Sequence, residues 1–231
     1  MTDTIKILNK TDWYLLVDRA EKGDSNAMNE VSYYYQNGLI VDDIEIVKPN
    51  PQSAVDWTKR SYESGNLEGM VNYADCLSDS ENIYCERDFD LAERIYKEAM
   101  NKGSSIASHN LAIEYRNKQN FKKAFELYQN LSRSKEFYPD LSIGLCYYYG
   151  IGTVKDRMKA FEVLQTISSD RNSQYEVDEA NYLIGKIYLD GEVVEQSIEK
   201  ARYYLELADI DGDHRSAQEL LLIIGRAKTI R

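Results

Sequence analysis

The chain has 231 residues and a formal net charge of −11, with 39 Asp and Glu against 28 Lys and Arg. With 3 Cys and 2 His there is little material for a disulfide framework, a His-rich metal site or a Ser-His-Asp relay, and the acidity argues against a nucleic-acid binder, which needs a basic footprint. An apolar content of 43% supports a packed core, while no stretch approaches the ~20 apolar residues of a membrane span. Residues 1–10 lack the apolar run of a signal peptide. Cys76, Cys85 and Cys146 therefore read as free thiols in a reducing compartment, and the expected location is cytoplasmic.

An internal repeat organises the chain. It is clearest between residues 143–160 and 184–201, where Gly144 aligns with Gly185, Tyr147 with Tyr188, Gly150 with Gly191, Lys159 with Lys200 and Ala160 with Ala201. In chain order, a first helix opens on a small residue with a large apolar one eight later: Ala27/Tyr35, Gly69/Leu77, Ala107/Tyr115 and Ala180/Tyr188. Pro139/Tyr147 has the same spacing, with Pro at a helix start. A second helix carries Ala, a large residue three on and a small or apolar one seven on, as in Ala54/Trp57/Ser61, Ala92/Ile95/Ala99, Ala124/Leu127/Leu131, Ala160/Val163/Ile167 and Ala201/Tyr204/Ala208.

These spacings put each set on one helical stripe. Small residues facing large ones let two helices interlock. Gly38, Gly65, Gly103, Gly150, Gly191 and Gly212 fall where the helices should stop. Each pair leaves an apolar face that only a neighbouring pair can cover, so the expected fold is all-α, an α-solenoid of about five antiparallel helix pairs. The connection at 39–51 alternates apolar and acidic residues, and reads either as a loop lying on the solenoid or as a partner-binding strand-like arm.

The run Leu/Ile-Gly-x-x-Tyr-x-x-Gly-x-x-Val, followed by Lys-Ala, resembles the Sel-one-like repeat (SLR), a longer-period relative of the tetratricopeptide repeat. Gly150, Gly152, Val154, Asp156, Lys159 and Ala160 carry the fullest version. The resemblance implies a single solenoid domain over 1–231, with repeats at 26–65, 68–103, 106–135, 138–171 and 179–212. It implies capping helices at 11–23 and 216–231. It also implies protein binding without reaction chemistry, through a concave face lined by the first helices.

Carried over position by position, that face takes Tyr33 and Gln36 from the first repeat, with Asn26, Asn29 and Asn37. It takes Asp75 and Asp79 from the second, with Glu68, Val71 and Ser78; and His109 and Arg116 from the third, with Ile113. Tyr138, Tyr148 and Tyr149 follow in the fourth, and Tyr182 and Lys186 in the fifth. Tyr brings a large apolar body with a polar tip, which suits recognition. Tyr35, Tyr115, Tyr147, Tyr188 and Tyr204 are expected in the core instead. Charge is uneven: residues 1–115 carry net −10, residues 116–159 net +5 and residues 160–231 net −6.

Three apparent motifs are set aside. Asp209-Ile-Asp-Gly-Asp213 opens like a calcium loop, but His214 and Leu220 stand where the loop needs Gly and Glu. Gly150-Ile-Gly152 follows a helix, where a phosphate loop follows a strand. Cys76 and Cys85 have no completing zinc ligands nearby. No metal or cofactor is expected. The reading is a non-catalytic interaction protein, most concretely a bacterial immunity or inhibitor protein whose concave face occludes a basic toxin or effector. The alternative is an adaptor or scaffold in a signalling or secretion complex.

Overall fold

The computed structural model describes residues 7–132, 141–169 and 173–229. Among these, twelve helices and one short hairpin form an all-α repeat solenoid. The chain divides into two units, residues 1–114 and 115–231.

The first unit runs α1 (Lys10–Glu21), α2 (Ser25–Asn37), β1 (Leu39–Val41), β2 (Ile44–Val47), α3 (Pro51–Glu63), α4 (Leu67–Ser78), α5 (Phe89–Asn101) and most of α6 (Ser105–Asn117). Consecutive helices pack on one another from α1 to α5, and α2 also touches α4. The core near α1 joins Trp13, Leu16 and Ala20 to Ala27, Val31 and Trp57. Trp13 meets Tyr34 and Tyr35 edge-on, with ring centroids 6.0 and 5.3 Å away. Residues 39–47 form a strand hairpin that also lies on the solenoid, with Val47 buried in the core near α1 and Leu39 and Ile46 packed against it. β1 pairs antiparallel with β2, turning through Asp42 (φ 49) and Asp43 (φ 64). Two successive positive φ values make the tight turn that matches strand twist.

The second unit runs from the end of α6 through α7 (Phe121–Ser132), α8 (Leu141–Tyr149), α9 (Arg157–Ser169), α10 (Gln174–Asp190), α11 (Ile198–Ala208) and α12 (Arg215–Thr229). Its core gathers Leu164, Ile167, Leu183, Ile184 and Ile187, all at most 1% exposed. Small residues set the helix spacing. A Cβ on Gly185 would lie 2.8 Å from Leu205 Cγ and 3.2 Å from the Ala201 carbonyl oxygen.

One hydrogen bond recurs in every pair. The carbonyl of the large residue eight positions after the opening small residue accepts from the backbone N–H just before the second helix. The bonds are Asn50 to Tyr35 (2.7 Å), Asp88 to Leu77 (3.1 Å), Asn120 to Tyr115 (2.7 Å), Asp156 to Tyr147 (2.9 Å) and Ser197 to Tyr188 (3.0 Å). Each donor residue also caps the second helix. Its side chain accepts from the N–H three residues on, at Ser53, Leu91, Lys123, Lys159 and Lys200. Asn, Asp and Ser are the residues that do this best. The six glycines expected at helix stops all have positive φ. At Gly191 (φ 68) the left-handed conformation lets its N–H reach the Ile187 carbonyl at 3.0 Å.

Candidate protein-interaction site

A groove of about 710 Å³ opens in the first unit along α2, α4 and α6. Spacings of three and four along each helix bring one stripe of side chains to it. Of the residues expected there, Tyr33, Gln36, Asp75 and Asp79 line it, together with Asn29, Asn37, Glu68, Ser78 and Ile113. Tyr33 is 62% exposed. The sequence reading placed Val71 there, but Val71 is buried and its neighbour Asn72 takes the place.

Asp75 is the most constrained of these groups. Its carboxylate accepts from the Tyr96 hydroxyl on α5 and twice from Asn110 Nδ2 on α6, at 2.9 and 3.1 Å. Burial raises its pKa above the ordinary carboxylate value, against the opposing effect of those two donors. Tyr96 is 1% exposed, and burial followed by the Asp75 charge raises its own pKa. Ser78 Oγ lies 3.3 Å from the Tyr96 hydroxyl and donates to the Asp75 carbonyl at 3.1 Å. Burial pushes the Cys76 thiol up to about 12, with Cys85, Asp75 and Asp79 adding to the effect. A thiol held protonated is a poor nucleophile.

Beside this cluster, Ser32 donates to the Ala54 carbonyl at 2.9 Å and sits 2.7 Å from the Thr58 hydroxyl. Asn29 Nδ2 donates to Asn66 Oδ1 at 2.8 Å. Tyr96, Asn110, Thr58 and Glu114 are lining residues that periodicity did not find. Tyr96 and Thr58 belong to second helices, each one residue after a member of the buried stripe, and no second-helix position was read toward the groove. Asn72 and Asn110 stand three residues after the opening small residues Gly69 and Ala107, a recurrence legible in the sequence.

The remaining expected site residues lie elsewhere. His109 is half-buried on α6 and does not line the groove. Arg116 is exposed near the end of α6, in the second unit. Tyr138 lies outside the described residues. Tyr148 and Tyr149 were both expected on the concave face; Tyr149 is 53% exposed, but Tyr148 is 2% exposed. Tyr148 packs into the core of the unit, and Arg157 and Lys186 cover its ring, 4.8 and 5.3 Å from its centroid. Burial pushes the Tyr148 phenol up to about 12.

Tyr182 and Lys186 do come together in the second unit. The Lys186 ammonium stands 5.3 Å from the Tyr182 centroid, 5.3 Å from that of Tyr148 and 6.0 Å from that of Tyr149. Three ring faces favour a cation at this place. Arg157, beside them, pairs with Asp190 and with Glu192 at 3.0 Å. The acidic Asp209–Asp213 segment is a turn between α11 and α12. Asp209 accepts there from the His214 N–H and Gln218 Nε2, both at 2.9 Å. Among the described residues no cluster of three or more His, Cys, Asp or Glu could hold a metal ion, and no helix is long and apolar enough to cross a membrane.

Stacked helix pairs with a polar and aromatic groove along their first helices define a helical-repeat protein. The Sel1 repeat matches residues 25–66, 67–104, 105–133, 141–162 and 178–208, and the chain belongs to the Sel1 repeat family. Repeats of this family generally mediate protein–protein interaction and are generally non-catalytic. A protective antigen of uropathogenic Escherichia coli strains displaying an SLR fold is similar in structure, at a TM-score of 0.70 and 22% identity. That likeness covers 94% of this chain and 45% of the antigen, so this chain spans under half of its length. A Sel1 repeat protein from Oxalobacter formigenes has a TM-score of 0.66 at 18% identity, over 92% of this chain and 80% of that one. No curated protein matches the chain significantly.

Proposed function

We propose that the chain is a non-catalytic protein-binding repeat domain that receives its partner in the groove of the first unit. One observation carries this reading. Three successive first helices bring Tyr33, Gln36, Asn72, Asp75, Asp79 and Ile113 to a single open groove. Aromatic, amide and carboxylate groups there offer contact area, directional bonds and charge, and lack a paired nucleophile and base. The most concrete form is an inhibitor or immunity protein that occludes a basic toxin or effector, a form the acidity of residues 1–115 supports.

The second unit favours an adaptor as the other reading. Its Lys186–Tyr182–Tyr149 surface differs in charge from the groove and could hold a separate component. The test uses the full chain as bait in its own cells. Tyr33→Ala with Gln36→Ala should lose the partner, and Tyr149→Ala with Lys186→Ala should keep it. If the second variant loses a different partner, the adaptor form holds. A co-expressed partner that kills cells unless this chain is present supports the inhibitor form. A groove variant that retains every partner overturns the proposal.

A further inference from the structure

We propose that the groove of the first unit takes an extended peptide segment rich in Lys and Arg, with one ammonium or guanidinium group donating to the Asp75 carboxylate. This rests on the reading of the groove as the partner site and names the chemistry of what enters it.

Four carboxylates line the groove, those of Glu68, Asp75, Asp79 and Glu114. Among the described residues lining it there is no Lys, Arg or His. The donors that hold Asp75, Tyr96 and Asn110, are both neutral. Its pKa is set by burial and these two hydrogen bonds, without a cation. The charge is therefore oriented but not neutralised. In a partly dry setting an arriving cation gains more from it than from a carboxylate in open water.

A second observation points the same way and does not depend on the acids. Asn29 is 8% exposed on the groove wall. Its Nδ2 is engaged with Asn66, yet its buried Oδ1 accepts no hydrogen bond. Buried acceptors are nearly always satisfied, so a lone one marks a place for a donor. A carbonyl oxygen without a donor and a carboxylate without a cation share one complement. Lys brings three donors on a positive charge, Arg brings five, and neither brings an acceptor. An acidic segment would add like charges to the groove.

The groove also spans three helices and exceeds what a single side chain fills. An extended chain sends alternate side chains to one side, so it can present several cations to one wall. A compact ligand with one charge would leave Glu68 and Asp79 unmatched.

The test is fluorescence anisotropy on the full chain with three labelled peptides of equal length: alternating Lys/Arg with Ser, alternating Glu with Ser, and Gly with Ser. The basic peptide should bind best, and more weakly as salt rises. Asp75→Asn should weaken it about tenfold. The control Glu199→Gln with Glu206→Gln removes two exposed carboxylates from α11 and should leave it within about twofold. Circular dichroism checks that Asp75→Asn folds. Should it not, Glu68→Gln with Asp79→Asn replaces it under the same expectation. Equal binding by the groove variant, or a larger loss in the control, overturns the proposal. So does failure of every peptide to bind. Preference for the acidic or neutral peptide, lost in Tyr33→Ala with Gln36→Ala, overturns the basic chemistry while leaving the groove as the partner site. Native partners that survive that double variant overturn both.

Discussion

Asn110 Nδ2 donates to both carboxylate oxygens of Asp75, at 2.9 and 3.1 Å, across 35 residues of chain. This bond pair ties α6 to α4 along the floor of the groove. Asn110→Ala should destabilise the first unit by about 1.5–3 kcal/mol, because hydrogen bonds to a charged group are lost and the carboxylate stays half-buried. Both tryptophans, Trp13 and Trp57, lie in this unit, so their fluorescence in urea reads it directly. A midpoint equal to wild type would show that water replaces Asn110 without cost.

The same carboxylate gives a pH signature. Its folded pKa is raised above the ordinary 3.8, chiefly by burial. The folded state thus keeps the proton to higher pH than the unfolded state does. The stability this group contributes is full below 3.8 and is lost as pH rises through the raised folded value. Asp75→Asn removes that loss while its amide oxygen still accepts from Tyr96 or Asn110. The urea midpoint of the variant, minus that of wild type, should grow from pH 3 to pH 7. A difference that shrinks over that range would reverse the sign.

Asp24 behaves in the opposite way. It caps α2 by accepting from the Asn26 and Ala27 N–H groups, both at 3.1 Å, and it pairs with Arg19 at 2.5 Å. The Arg19 bond first, then the Ala27 N–H, hold its pKa below 3.8. Its contribution is present above 3.8 and fades as pH falls through the lowered folded value. Asp24→Ala should cost about 1 kcal/mol at pH 7. Paired urea titrations at pH 7 and pH 2.5 should show the gap between the two proteins closing in acid.

Gly185→Ala sets two effects against each other. Helix propensity favours Ala by about 1 kcal/mol. The new methyl would meet Leu205 Cγ at 2.8 Å and the Ala201 carbonyl oxygen at 3.2 Å. Overpacking of this kind costs about 1–3 kcal/mol, and a backbone oxygen yields less readily than a flexible side chain. The net should be a lower melting temperature for the second unit, followed by calorimetry. A rise would mean that α10 and α11 separate freely.

Tyr148 tests the burial of its own side chain. Its hydroxyl is buried without a hydrogen-bond partner. Tyr148→Phe should therefore be neutral or up to about 1 kcal/mol stabilising, while Tyr148→Ala should cost about 3–5 kcal/mol. Thermal melts of the two variants give both numbers. A substantial loss on Tyr148→Phe would reveal a hydroxyl contact of consequence.

The helices were legible because small and large residues recur at helical spacing, as in Ala27/Tyr35 and Ala180/Tyr188. Half of the groove was legible for the same reason: positions opposite a buried stripe must face outward, which places Tyr33, Gln36 and Asp75. Periodicity resolves a helix face only to within about a residue. Tyr148 and Tyr149 are adjacent and both were read outward, but Tyr148 packs into the core under Arg157 of α9 and Lys186 of α10. Those neighbours come from other helices, so no local pattern carries them. Tyr96 escaped because it stands one residue after Ile95 of the buried stripe, and no second-helix position was read toward the groove. The hairpin turn at Asp42 and Asp43 was written only as alternation, and pairing required the closure that α2 and α3 impose.

The recurrent bond from the residue before each second helix to the carbonyl eight positions after the opening small residue of the first has a consequence for how these repeats vary. It spans fifteen residues between Tyr35 and Asn50 and five between Tyr115 and Asn120, yet it closes at 2.7 Å in both. Whatever lies between is a closed excursion, anchored at the same two points. The β1–β2 hairpin fills its excursion with packing of its own, since Val47 is buried in the core near α1 with Leu39 and Ile46 against it, while its tip at Asp42 and Asp43 is exposed. Exposed tips such as this one are thus the natural ports of the molecule, where a tag, a label or an evolving new surface can be added without renegotiating the packing beneath it.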